Sequence, residues 1–488
     1  MIPVLLILVP LVCGVLSFFI KTERTVKTWA LVSSLVTLVV SLLSVSVLNS
    51  PNYLSADAEW IPMLGSSFSV TIDGMGKLLC LLTAIAFPAI FISTWHQNYK
   101  NAHNFFALML LSQAGLIGVF VAYDALLFYF FWELALIPAY FLCSQWGGER
   151  RIQVTFKFFV YTFIGSLFML IGIIYMYTKT PDQSYSLESF YKLHLSNSDQ
   201  MWLFWIMFVA FAVKMPVFPF HTWQPDTYEQ SPTAVTMVLS GVMVKMGVFG
   251  VIRWLVPLIP TGAWAWGDTV STLAIIGMIY ASLLAMRQDD IKRLVAYSSI
   301  AHIGLMCLAI FATDSLGMQG VMIQMFNHGI NIIGMWIVVE LIERQFKTRK
   351  MSELGGLAQK APALSVLLVI VALANVALPL TNGFVGEFLM FAGVFNSNVS
   401  QYNEVFMVTA GITVILSAVY TLNMLQKVLF GNTNQITASG RDIRLNEKMT
   451  LVVLVVVILA IGVYPKPMLE VTQSTVDMIL SKMINKHP

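Results

Sequence analysis

Four ionisable residues stand where an apolar sequence makes charge expensive. Glu133 lies in Phe128-Tyr-Phe-Phe-Trp-Glu-Leu-Ala-Leu-Ile-Pro138, and Lys214 in Ala210-Phe-Ala-Val-Lys-Met-Pro-Val-Phe-Pro219. Lys245 lies in Leu239-Ser-Gly-Val-Met-Val-Lys-Met-Gly-Val248, and Glu387 closes Gly383-Phe-Val-Gly-Glu387. A charge at the centre of a membrane helix costs about 2.5 to 3.5 kcal/mol on the insertion scale, so each needs a partner, water or a function. The chemistry that such residues suit is proton transfer. Burial in a low dielectric brings the pKa of an amine down and that of a carboxylic acid up, towards a range where either group can both take and release a proton. A neighbouring charge then selects the protonation state, so Glu133 with Lys214 reads as a switch.

Histidine is the natural bridge between such groups. His302, in Ser298-Ser-Ile-Ala-His-Ile-Gly304, and His328, in Gln324-Met-Phe-Asn-His-Gly-Ile-Asn331, are flanked by small and polar residues with room for water. Each also has a plain structural reading. Glu133 and Lys214 would serve equally as a buried ion pair, and either histidine as a core ring bonded to a carbonyl. Four charges on four separate helices exceed what holding a bundle together requires. His221 reads as a loop or half-helix contact, Lys77 as a chain that snorkels to the interface, Lys157 as either a snorkelling chain or a relay residue, and Asp124 and Glu340 as helix-end residues outside the relay.

The elements that must carry these residues are membrane helices. Of 488 residues, 58% are apolar and 11% charged, against about 25% charged in soluble domains. Apolar runs long enough to cross about 30 Å of hydrocarbon recur from end to end, and none alternates with the period of two that a barrel requires. The pattern predicts an all-α polytopic membrane protein of about fourteen spans, with the seventh and twelfth broken. Pro216 and Pro219 interrupt the seventh; Pro379, Gly383 and Gly386 interrupt the twelfth. Each proline frees a carbonyl, and non-helical backbone at this depth must be buried in protein or face water. The breaks fall fourth in two successive groups of five spans, the placement expected of two inverted five-helix repeats. This divides the chain into 1–103, 104–257, 267–430 and 431–488. The tail after Lys466 carries Leu469, Val476, Ile479, Leu480 and Met483 as one apolar face of an interfacial helix.

Lys and Arg cluster in the loops after odd-numbered spans, which sets both termini on the non-cytoplasmic side. A net charge of +3 with no basic patch argues against nucleic acid as a partner. Cys13, Cys80, Cys143 and Cys307 stand singly, so neither a metal site nor a disulfide framework is expected. The glycine-rich loops, zinc-protease pattern and nucleophile signatures of cofactor or covalent chemistry are missing.

The segment Ala212-Val-Lys-Met-Pro-Val-Phe-Pro-Phe-His-Thr-Trp-Gln-Pro-Asp226, followed by Ser231-Pro-Thr-Ala234 and Lys245, resembles the signature of the antiporter-like membrane subunits of respiratory complex I, NADH:quinone oxidoreductase. Phe131-Trp-Glu-Leu134, Asp289 to Gly304, Asn327-His-Gly329 and Gly383 to Glu387 extend the resemblance over most of the chain. Within that family Glu387 fits the M type, since the L and N types have lysine there, and the chain stops soon after its last span where the L type continues. The resemblance implies a proton-translocating enzyme subunit without cofactor or metal of its own, with FMN, iron-sulfur clusters and quinone in other subunits. It implies L- and N-type subunits as neighbours and a bacterial inner (cytoplasmic) membrane as location. By position, Glu133 modulates Lys214, Lys214 and Lys245 form the central relay, Glu387 carries protons to the exit, and His302 and His328 relay or hold water. Gln224, Thr227 and Tyr228 depart from the family's usual Leu, Ala and second His. The D-type subunit of a multisubunit cation/proton antiporter and the membrane subunit of a hydrogenase complex share the lysines. A scaffold that carries no protons is the reading from a different class.

Overall fold

The computed structural model describes residues 1–46 and 51–484, and they are mostly helical. Eleven helices among them are long and apolar enough to cross a membrane. Their burial sorts them into layers. Thr233–Leu255, Ile291–Phe311 and Ser315–Phe346 are buried along the whole of their apolar windows, whereas Glu23–Ser46, Asn403–Leu429 and Leu445–Val463 are buried over only 33% of theirs. Apolar surface left open on these outer helices, such as Val39, Ile415 and Val456, is what a hydrocarbon solvent accepts. The charged candidates of the sequence are thus carried by, or face, the innermost helices. Three further predicted spans are shorter or interrupted: Ile2–Ser17, the pair Asn197–Lys214 and Gln224–Gln230, and the pair Pro362–Asn375 and Asn382–Asn396.

Both predicted breaks are present, and in each the freed carbonyls find donors. The first helix half ends at Lys214, and the indole N–H of Trp223 donates to the Val213 carbonyl at 3.0 Å. Lys157, open between snorkelling and a relay role, reaches across and donates to the Thr222 carbonyl at 2.7 Å while pairing with Asp226 at 3.0 Å. At the second break, Ala377 and Leu380 take positive φ, a strained state for residues with side chains. Two asparagines of Ser315–Phe346 satisfy its backbone: Asn331 donates to Ala374 at 3.2 Å and Asn327 to Asn382 at 2.7 Å. Gly386 packs so closely on Gln324 that a Cβ there would collide with its amide oxygen. Unpaired carbonyls in a membrane interior are costly, and these contacts let the breaks exist.

Four features differ from the sequence expectation. The chain is not purely helical: Ser55–Ile61 and Ser66–Thr71 pair as an antiparallel hairpin, with Ser55 opposite Thr71. The helix Thr233–Leu255, read as regular, contains π-helical turns at Leu239–Met243 and Val251–Leu255. The tail helix Lys466–Ile484 turns Val476, Ile479, Leu480 and Met483 into the protein, against Gly74–Ser93 and Ser315–Phe346. Lys77 is also buried, near Asp73, rather than extended to an interface.

The loops richest in Lys and Arg gather at one end of the bundle, where Lys100, Arg150, Lys292, Arg344 and Arg349 line a cavity of ≈ 1150 Å³. Carboxylates cross-link them: Arg293 pairs with Glu229 at 2.7 Å and Asp226 at 3.2 Å, and Arg349 with Asp290 at 3.0 Å. Burial pushes the Asp290 carboxyl above its ordinary pKa, against the opposing pull of the Arg349 guanidinium.

Candidate functional site

Four of the six predicted site residues form two directly contacting pairs, Lys245 with His328 and His302 with Glu387, whose histidine rings approach each other among the innermost helices. The Lys245 amine, fully buried, donates to the Ser240 carbonyl at 2.8 Å and meets His328 Nδ1 at 2.8 Å. The π turn at Leu239–Met243 immediately precedes Lys245, and wide turns of this kind recur at functional positions. On its other edge His328 places Nε2 3.3 Å from the Ser299 hydroxyl. The His328 and His302 rings lie 5.5 Å apart between centroids, and His302 Nδ1 is 2.9 Å from Glu387 Oε1. A side pocket lined by Thr413, Ser417 and Tyr420 opens beside His302 and Glu387. Lysine, histidine, histidine and glutamate thus succeed one another across Thr233–Leu255, Ser315–Phe346, Ile291–Phe311 and Asn382–Asn396. A neutral imidazole accepts on one nitrogen and donates on the other, so the order is one along which a proton can be passed.

The other two residues are not part of that string. Lys214 is 1% exposed, and its amine has no hydrogen-bond partner. It faces the rings of Trp132 at 5.6 Å and Phe158 at 5.9 Å. Glu133 Oε1 is likewise without a hydrogen-bond partner, and the polar neighbours of the carboxyl are Ser166, Tyr129 and Lys214. Among the described residues no ion pair within 4.0 Å joins Glu133 to Lys214, so the simple buried-pair reading is not what the structure contains. His221 stacks on Phe218 and stays apart from the string, as expected of a contact next to the break.

Sequence reasoning missed the polar groups that hold the string in place. Ser298 receives hydrogen bonds from Asn375 and from Tyr420, each at 3.0 Å, which ties the second break to Ile291–Phe311. Ser299 was visible only as part of a small, polar run. Arg253, not singled out by its sequence, is fully buried and paired with Asp73, whose carboxylate also receives the Thr475 hydroxyl at 3.3 Å. Among the described residues no cluster of His, Cys, Asp or Glu has the arrangement of a metal site.

Two broken helices and buried titratable groups on the innermost helices are the features of an antiporter-like membrane protein. Residues 122–417 match the NADH:quinone oxidoreductase/Mrp antiporter transmembrane family. The chain is 35% identical to F(420)H(2) dehydrogenase subunit M of Methanosarcina mazei, over 99% of each chain. It is 37% identical to NADH-quinone oxidoreductase subunit M of Rhodobacter capsulatus, over 91% of this chain and 88% of that one. It superposes on a chain of respiratory complex I from Thermus thermophilus with bound NADH at a TM-score of 0.90 and 26% identity, covering 98% of this chain and 100% of that one. The chain belongs to the antiporter-like membrane subunits of NADH:quinone oxidoreductase, as a subunit of the M type.

Proposed function

We propose that this chain moves protons across the membrane for a quinone oxidoreductase, through Glu133, Lys214, Lys245, His328, His302 and Glu387. The observation that carries the reading is the Lys245–His328 contact at 2.8 Å continued by the His302–Glu387 contact at 2.9 Å, all four groups buried. Glu133 sets the charge of Lys214. Loss of that proton unloads Lys214 towards Lys245, the string passes it on, and Glu387 releases it beside Thr413 and Ser417. The isolated amine at Lys214 is the gate, because waters, not side chains, must connect it, and water can be admitted or expelled.

Electron transfer takes place elsewhere. The M-type relatives serve an NADH-dependent and an F(420)H(2)-dependent enzyme with nearly equal identity, as expected if donor oxidation, with its FMN, iron-sulfur clusters and quinone, lies in other subunits. In this reading Ile2–Ser17 and the two broken helices also cross, which gives fourteen spans. Units 104–257 and 267–430 are the inverted repeats, flanked by 1–103 and 431–488. Gathering of the basic loops around one cavity supports a cytoplasmic location for that face, with both termini opposite, in a bacterial inner membrane. L- and N-type subunits are the expected neighbours. The test is proton pumping by membranes bearing Lys214→Ala, with assembly checked on a native gel: pumping should stop in an assembled complex, and full pumping would refute the relay.

A further inference from the structure

The relay needs a source of protons, and one buried acid that it leaves out lies at the wall of the basic-face cavity. Glu340 is 6% exposed, and its carboxylate receives the side-chain amide of Gln97. The cations nearest to it are already engaged: Lys292 pairs with Glu343 at 2.7 Å, and Arg344 with Glu447. Tyr99 and Glu343 complete its titratable surroundings, and Thr233 is its polar neighbour on the facing helix. Glu340 and Thr233 both line the cavity.

Two helices join this mouth to the string. Thr233–Leu255 and Ser315–Phe346 meet at Thr233 with Glu340 and again at Lys245 with His328, twelve residues further along one and twelve back along the other. They are therefore antiparallel, and the two meeting points are roughly 18 Å apart at 1.5 Å per residue. Two hydroxyls, Thr236 and Ser240, stand in this otherwise apolar interval of Thr233–Leu255. Ser240 donates to the Thr236 carbonyl at 2.7 Å, and Thr236 donates to the Tyr228 carbonyl at 3.3 Å. On the adjoining helix Gln224–Gln230, the Tyr228 hydroxyl and both amide atoms of Gln224 are buried without a hydrogen-bond partner, although the two side chains are neighbours. Leaving such groups unpaired costs about 1 to 3 kcal/mol each, which a line of water would remove.

We infer that Glu340 collects protons from the basic-face cavity and that the Thr233–Thr236–Ser240 track, with Gln224 and Tyr228 opposite, conducts them to Lys245. The inference rests on the relay reading. In the step, the O–H bond of the Glu340 carboxyl breaks and its proton moves through hydrogen-bonded water. An N–H bond forms at the neutral Lys245 amine, and the Glu340 carboxylate takes a proton from cavity water.

The experiment compares Glu340→Gln, Glu340→Asp and Tyr228→Phe with Lys214→Ala, all in the assembled complex in inverted membranes, following proton uptake from about pH 6 to about pH 8.5. A collector matters most when protons are scarce. Glu340→Gln should lower pumping roughly tenfold at the alkaline end and less than about twofold at the acid end, and Glu340→Asp should restore the profile. Tyr228→Phe should act in the same direction more weakly. A loss equal at every pH, or none, would overturn the inference. If Lys214→Ala stops pumping while Glu340→Gln follows the unmodified profile, the track fails and the relay stands. If Lys214→Ala pumps fully, the relay through Lys214 falls, and the Glu340→Gln profile alone decides the track. Should Glu340→Gln not assemble, the Tyr228→Phe profile decides on the same criterion.

Discussion

The two broken helices present the same chemistry in opposite states. At the second, Glu387 is bonded to His302, and the contacts continue through His328 to Lys245. At the first, the Lys214 amine faces the rings of Trp132 and Phe158 without a hydrogen-bond partner among the described residues, and Glu133 is near but not paired. The difference is not one of burial, since both sites are withdrawn from the surface. It is one of connection. In the proposed relay, side chains in direct contact cannot by themselves prevent protons from running back, whereas an amine joined to them only through water can be coupled or uncoupled. On that proposal the first half is where control belongs, and the second is the conductor.

The largest effect should come from cutting the conductor at its exit end. Glu387→Ala removes the proton-accepting carboxylate in contact with His302, and pumping should fall on the order of a hundredfold, read as proton uptake by inverted vesicles. His328→Leu should come next, because it strips Lys245 of one of its two partners and also abandons Ser299. Besides slower pumping, a loss of about 1 to 3 kcal/mol in stability is expected, measured by thermal unfolding of the detergent-solubilised complex. Asn327→Leu probes the support rather than the wire: it leaves the Asn382 carbonyl unpaired at the break, which should cost a similar 1 to 3 kcal/mol, roughly, while pumping per assembled complex declines less. The smallest change is expected in the control half. Trp132→Leu removes one cation–π contact of Lys214, worth about 0.5 to 2 kcal/mol, and should alter turnover only a few-fold. An equal collapse from Trp132→Leu and Glu387→Ala would erase the distinction between the halves.

Much of this architecture is written locally in the sequence. Pro216, Pro219 and Pro379 announce the breaks because a missing donor is a property of a single residue. Lys214, Lys245 and Glu387 announce themselves because a charge in a long apolar run is anomalous whatever surrounds it. What was not legible depends on partners far away in the chain. Lys245 finds His328 83 residues later, and His302 finds Glu387 85 residues later, separations that carry no periodic signal. The π turns beside Lys245 follow from packing on Ser315–Phe346, where a Cβ on Gly241 would collide with Ile333. Glu340 was set aside as a helix-end residue because position alone does not reveal that it faces a cavity. The hairpin at Ser55–Thr71 was hidden for another reason: its residues are too polar and too few to stand out beside membrane helices.

The central claim is tested most directly by replacing Lys245 with a side chain of like length that cannot hold a proton. In membranes carrying assembled complex with Lys245→Met, proton uptake and quinone reduction should be recorded together. The account predicts that uptake collapses by at least about tenfold and that coupled turnover falls with it. Uptake at the unmodified rate would contradict it.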